Sequence, residues 1–265
     1  MSLTEHLEKF SPKRESDKIE EFLIRKRSEI EFDEAVIGLS GGLDSTIVTV
    51  LGERAFSNEN IEVVFLPETT TPRRDWEDVN LLEREFDLSV RVIEIDEFVS
   101  AYKKKMTELS KLTEANLKPR IRMTLLYAIA NQNNGLVVGT GNLSEWLLGY
   151  FTKYGDGAAD LAPLKHLFKT ETRELARFLN IPEAIISKPP SAGLWEGQTD
   201  EDELGGTYDE IDEVLYCKHE LDFSLEETKK AVELDPEFVS HVFDLVEKST
   251  HKRKPPPSLT RAQIG

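Results

Sequence analysis

Three features of this sequence predict a doubly wound α/β fold, a parallel sheet with helices on both faces. Short apolar runs at 35–39, 61–66, 90–95 and 136–139 have the length and β-branched character of fully buried strands. Segments of helical periodicity separate them, the alternation expected of parallel strands joined by crossover helices. No Gly- or Ser-rich linker divides the chain and no internal repeat is present, so residues 1–265 read as a single domain.

Each element has its own signal. Residues 18–30 place Ile19, Phe22, Leu23 and Ile30 on one helical stripe ahead of the first strand, Ala35-Val36-Ile37-Gly38-Leu39. Ser40 to Ser45 reads as a Gly-rich turn, and 46–55 as the helix behind it. Ile61 to Leu66 is the second strand, followed by a helix carrying Trp76, Val79, Leu82 and Phe86. Val90, Val92, Ile93 and Ile95 form the third, and 97–111 the next helix. A helix over 119–132 precedes the fourth strand at Leu136-Val137-Val138-Gly139. Beyond it, 153–160 and 189–207 read as polar turns, and 208–218 and 224–247 as helices. The prolines at 255–257 forbid regular structure near the end.

Composition narrows the function classes. The net charge is −17, from 50 acidic and 33 basic residues, which argues against a nucleic-acid duplex as the main ligand. Any polyanion must be held locally, by loops and a few placed cations. No segment has the apolar length of a membrane span, and 1–18 has no signal-peptide core. One cysteine, Cys217, cannot form an internal disulfide, and a cytoplasmic location is expected.

In an open α/β sheet, ligands bind beyond the carboxyl ends of the strands. Two segments in that position carry unusual chemistry. Gly38-Leu39-Ser40-Gly41-Gly42-Leu43-Asp44-Ser45 leaves the first strand and enters a helix. Its glycines let backbone N–H groups approach an anion, its serines add hydroxyls, and the helix N-terminus adds partial positive charge. Asp44 would repel a phosphate unless Mg²⁺ bridges them. Neither a Walker A loop nor a complete dinucleotide fingerprint is present: Gly139-Thr140-Gly141 begins like the latter, but Ser144 stands where its third glycine belongs. In the second segment, Glu145 falls about one helical turn past the fourth strand and could share a cation with Asp44.

The Ser-Gly-Gly-Leu-Asp-Ser string resembles the pyrophosphate-binding loop of the N-type ATP pyrophosphatases, whose fold is adenine nucleotide alpha hydrolase-like. Further blocks resemble one branch of that superfamily, the ammonia-dependent NAD synthetases. They are Asn116-Leu-Lys-Pro119-Arg120-Ile-Arg122-Met123, Gly139-Thr140-Gly-Asn142-Leu-Ser-Glu145, the stretch from Gly149 to Pro163, Lys188-Pro-Pro-Ser191-Ala-Gly-Leu-Trp195, and His251-Lys252. Pro119 replaces the family's usual alanine, which costs little if it lies in a first helical turn.

The resemblance implies an ATP-binding set of residues 38–45, Thr140, Lys169 and Ser191. It implies Asp44 and Glu145 as Mg²⁺ ligands, and Arg120, Lys153, Asp160, His251 and Lys252 as contacts to deamido-NAD. Asp44 and Lys169 are expected to act in catalysis, and residues 198–207 are a candidate polar lid. The implied reaction uses ATP to activate the nicotinate carboxylate of deamido-NAD as an adenylate, which ammonia converts to the amide, releasing AMP and pyrophosphate. The implied assembly is a homodimer with the dinucleotide at the subunit interface. Only 37 residues precede Gly38, too few for an amidase domain, so free ammonia is the expected nitrogen donor. Another amidating or thiolating ATP pyrophosphatase is the alternative enzyme, and a non-catalytic nucleotide sensor the alternative of another class. Thiolating members generally need reactive cysteines, and Cys217 lies in none of these blocks.

Overall fold

The computed structural model describes residues 2–106, 108–191, 193 and 197–259. Four parallel strands lie in the order β3-β2-β1-β4: β1 (Glu34–Gly38), β2 (Ile61–Phe65), β3 (Val90–Val92) and β4 (Gly135–Val138). The strand alternation of β1 explains why its whole apolar run is buried. Ala35 and Ile37 face one layer and Val36 the other, and all three are fully buried.

On the first face, α2 (Pro12–Ile30), α3 (Leu43–Phe56) and α8 (Lys169–Phe178) pack Ile19, Leu23, Ile47, Leu51 and Leu175 against the strands. On the second face lie α5 (Asp96–Lys105) and α6 (Lys111–Gln132), which bring Val99, Ile121 and Ile129 against Val36, Val64 and Val137. The helix α4 (Arg73–Glu85) joins the first layer through Val79 and Leu82.

A separate helical core completes the molecule. It is built from α1 (Leu3–Leu7), α7 (Leu143–Leu148), α11 (Tyr208–His219) and α13 (Pro236–Lys248), and holds Leu3, Leu148, Tyr208, Ile211, Leu215 and Val242. Shorter helices are α9 (Glu183–Ile186), α10 (Asp200–Leu204), α12 (Leu225–Ala231) and α14 (Thr250–Arg253).

The structure corrects several expected boundaries. Helix α3 starts at Leu43, so Leu43, Asp44 and Ser45 form its first turn instead of belonging to the preceding loop. Strand β3 ends at Val92, although Ile93 N–H and Ile95 N–H still donate to Phe65 O and Pro67 O. The helix expected over 97–111 stops at Lys105, and α6 begins at Lys111 because the Ser110 side chain caps Thr113 N–H. Pro119 therefore lies inside a 22-residue helix, not in its first turn. It is buried there against the glycine loop: a Cβ at Gly155 would fall 2.8 Å from Pro119 Cβ.

The helix expected over 224–247 is two helices, with Asp235 capping the second and Pro236 at its first position. The polar turn expected over 189–207 contains α10, whose N-cap Thr199 accepts from Asp202 N–H at 3.2 Å. Within the candidate lid 198–207, Gln198, Asp200, Leu204 and Tyr208 just beyond it are buried, so much of this stretch is packed into the fold.

Candidate active site

The loop after β1 is shaped by its own hydroxyls. Ser45 Oγ donates to Gly42 O at 3.0 Å and accepts from Ser40 N–H at 3.2 Å, while Ser40 Oγ accepts from Gly42 N–H. Gly41 has φ +77°, and a Cβ there would lie 3.0 Å from Asp75 O, so both conformation and space require glycine. Gly42 is the N-cap of α3, and Gly38 and Leu39 form the strand end beneath it. Hydroxyls expected to reach a ligand thus also hold the loop.

The loop after β4 makes a reciprocal cap. Asn142 Oδ1 accepts from Glu145 N–H at 2.9 Å, and Glu145 Oε2 accepts from Asn142 N–H. With Oδ1 committed, the amide nitrogen of Asn142 points the other way and donates to Asp44 Oδ2 at 3.1 Å. Asn142 has no exposed surface. Glu145 is accordingly both a helix-capping carboxylate and a member of the site, roles that look exclusive in the sequence.

Lys169, the first residue of α8, completes the cluster. Its Nζ lies 2.5 Å from Asp44 Oδ2 and 3.7 Å from Glu145 Oε1. Burial opposes the ammonium's charge, but Asp44 and Glu145 outweigh it and hold the pKa above the ordinary lysine value. Burial first, and then the charges of Asp44 and Asp200, push the Glu145 carboxyl above the usual carboxylate range against the pull of Lys169. Asp44 Oδ1 is buried with no hydrogen-bond partner. Acidic groups thus outnumber the cation they surround.

Beside this cluster a cleft of about 90 Å³ is lined by Thr140, Glu145, Trp146, Phe151, Asp156 and Lys165, among others. The Trp146 and Phe151 rings stack at 5.0 Å with planes 8° apart, and Lys165 Nζ lies 3.1 Å over the Trp146 ring.

The cations predicted from separate blocks converge on the 149–155 loop. Arg120 Nε donates to Lys153 O at 3.3 Å, Lys153 Nζ to His251 O at 2.8 Å, and Lys252 Nζ to Gly149 O and Phe151 O. Asp160 stands apart from them: its oxygens accept from Tyr127 OH and from Val137 N–H of β4. Ser191 is exposed and accepts from Gly193 N–H, and no described hydrogen bond joins it to the Asp44 cluster. Ala192, Leu194 and Trp195 of the same block lie outside the described residues.

Four contributors had no role assigned from the sequence, three of them although they lie in the blocks quoted above. Lys188 Nζ bonds Asp75 at 2.6 Å, Asp78 at 2.7 Å and Gly41 O at 3.2 Å, tying the first loop to α4. Lys118 pairs with Glu68 at 2.6 Å in a buried contact. Asn142 stands in the Gly139–Glu145 block but was given no role of its own, and Asp212 carried no distinguishing signal.

The model of the NAD synthase family matches residues 15–256. The chain belongs to the NAD synthase family. It is 44% identical to the NH(3)-dependent NAD(+) synthetase of Thermoplasma volcanium, over 93% of this chain and 97% of that one. The solved NMN synthetase of Francisella tularensis superposes with a TM-score of 0.83 at 35% identity, covering 94% and 99% of the two chains. The NH3-dependent NAD synthetase of Campylobacter jejuni superposes at 0.81 and 31% identity, covering 95% and 100%. Of the expected alternatives, another amidating or thiolating pyrophosphatase and a non-catalytic sensor, membership of this family sets aside the thiolating enzyme and the sensor. Among the described residues no helix is long and apolar enough to cross a membrane.

Proposed function

We propose that this NAD synthase family member makes NAD by ATP-dependent amidation of deamido-NAD with ammonia, releasing AMP and pyrophosphate. The observation that carries the reading is the meeting of Asp44, Glu145 and Lys169 beyond the carboxyl ends of β1 and β4, beside an aromatic cleft. ATP phosphates would lie along residues 38–45, where the α3 N-terminus favours anions, with Thr140 and Ser191 as further contacts.

The donor set fits a hard divalent cation. Asp44 offers a buried oxygen without a partner, and Glu145 a carboxylate raised by burial and like charge, both relieved by a cation. Asp44 and Glu145 would hold Mg²⁺, which when bound would neutralise charge on the phosphates. Lys169 places its ammonium to stabilise the departing pyrophosphate, in a buried setting where such charges count most. Arg120, Lys153, His251 and Lys252 position the dinucleotide so that its nicotinate carboxylate meets the α-phosphorus. Asp160 contacts the same ligand while anchoring β4. Carboxylate attack forms the P–O bond of an adenylate and breaks the α–β bridge. Ammonia then attacks the acyl carbon, AMP leaves, and the amide remains.

The reading extends to one synthetase domain over residues 1–265, a cytoplasmic location, and a homodimer. Exposed Phe98, Tyr102, Met106 and Leu112 on α5, after it and at the start of α6 support an apolar contact between subunits.

Product analysis with ATP, Mg²⁺, ammonium and deamido-NAD tests the proposal. NAD, AMP and pyrophosphate are expected, whereas ADP and phosphate would place the cleavage at the wrong phosphorus. The likeness to an NMN synthetase supports a second substrate, nicotinate mononucleotide. Competition between the two acids in the same assay decides which has the higher kcat/KM.

A further inference from the structure

We propose that Asp212 on α11 is a positioning residue for Lys169. It ties the first turns of α7 and α8 together, so that Glu145 and the Lys169 ammonium meet Asp44 at a set spacing. The carboxylate has no exposed surface and both its oxygens are committed. Oδ1 accepts from the Ser144 hydroxyl at 2.5 Å, and Oδ2 from Thr170 N–H at 2.8 Å. The Ser144 oxygen in turn accepts from the N–H of Lys169 itself, at 2.9 Å.

The first N–H groups of a helix lack partners within it, and its positive end favours an anion. In α8 two of those groups end on one carboxylate, that of Thr170 directly and that of Lys169 through Ser144. Ser144 immediately precedes Glu145, so the same hydroxyl also fixes the helix that carries the second acid. Tyr208, one turn earlier on α11, is buried with its ring 5.5 Å from Lys169 Nζ. Helix α11 thus meets Lys169 at both its backbone and its ammonium. Asp212 touches no reacting atom in this arrangement and acts through its neighbours.

The inference rests on Lys169 stabilising the leaving pyrophosphate. It is tested by a double-mutant cycle with Asp212→Asn and Lys169→Ala, reading kcat by AMP release. The asparagine keeps the shape but presents one amide donor where two donors need acceptors. In the parent enzyme Asp212→Asn should lower kcat about 10–100-fold, the usual cost of losing a supporting partner, with the circular dichroism spectrum retained. In the Lys169→Ala background the same change should cost clearly less, since only the placement of Glu145 is then left to lose. An equal loss in both backgrounds overturns the proposal, because a purely structural role would act independently of Lys169. Ser144→Ala runs the same cycle, with the same expected and overturning results, if Asp212→Asn fails to fold. If Lys169→Ala alone leaves kcat unchanged, the role of Lys169 fails first, an outcome visible before Asp212 is altered.

Discussion

The Lys169 ammonium sits 2.5 Å from Asp44 Oδ2, although one residue opens α8 and the other lies in the first turn of α3, and both side chains are largely buried. Such a pair is costly to break from one side, because the remaining charge keeps its desolvation without its partner. Lys169→Met should therefore destabilise the fold by about 3–5 kcal/mol, and Asp44→Asn should lower kcat by ~10²–10³. The double substitution should recover part of the stability and none of the activity. Urea unfolding and steady-state rates check both. Recovery of activity in the double variant would contradict the roles given to the pair.

Lys188 holds the 38–45 loop against α4 through Asp75, Asp78 and the carbonyl of Gly41. Lys188→Met leaves the Asp75 and Asp78 carboxylates facing each other, with Arg74 still 4.0 Å from Asp78. The loop should loosen, raising the KM for ATP several-fold while the KM for the dinucleotide changes little. An effect confined to the dinucleotide would break the link between Lys188 and the loop.

Pro119 interrupts the hydrogen bonding of α6, and alanine would restore an N–H for the preceding turn. Alanine is favoured over proline in a helix interior by about 3 kcal/mol. Lost packing of a buried ring and a freer unfolded chain offset part of that. Pro119→Ala is expected to add about 1–2 kcal/mol, raising the melting temperature by ~2–4 °C for each. A lower melting temperature would show that the ring's contact with Gly155 dominates.

Cys217 is 6% exposed, and burial followed by the charge of Glu213 pushes its thiol pKa up. The neutral thiol is thus the form the fold favours. That contribution to stability is complete below the ordinary thiol value and is lost as pH rises through the raised one. Alkylation near pH 8 should be at least about tenfold slower in the folded protein than in urea. Cys217→Ser should leave ammonia-driven synthesis intact. Rapid native labelling with loss of activity would place the thiol in the site.

Much of this site could be read in the sequence because its chemistry is local. The turn from Gly38 to Ser45 must follow a buried strand, whereas Glu145 gained weight only beside Asp44 and Lys169 only through the family resemblance. What escaped was whatever depends on distant partners. Asn142 looks like an ordinary cap until its amide is seen to face Asp44, and Asp212 resembles any helical acid until α11 is docked on α8. Pro119 was misplaced because proline marks a helix start in isolation, whereas the Ser110 cap and tertiary packing carry α6 through it. The merging of 224–247 into one helix failed similarly, since apolar periodicity continues across the Asp235-Pro236 cap.

The pairing of β1 with β4 has a consequence for how the enzyme comes into being. Glu34 opposes Gly135 in that ladder, with α3 through α6 and strands β2 and β3 between them in the chain. Closing so long a loop is entropically slow, and contacts of this separation are late rewards in folding. Strands β1, β2 and β3 can register first, giving a chain with an unmatched edge and a 38–45 loop still without its Lys188 anchor. Asn142 and Glu145 arrive only when β4 docks, and Asp212 only after that. This separation predicts a slow closing step, seen on refolding as a lag between recovery of secondary structure and recovery of turnover.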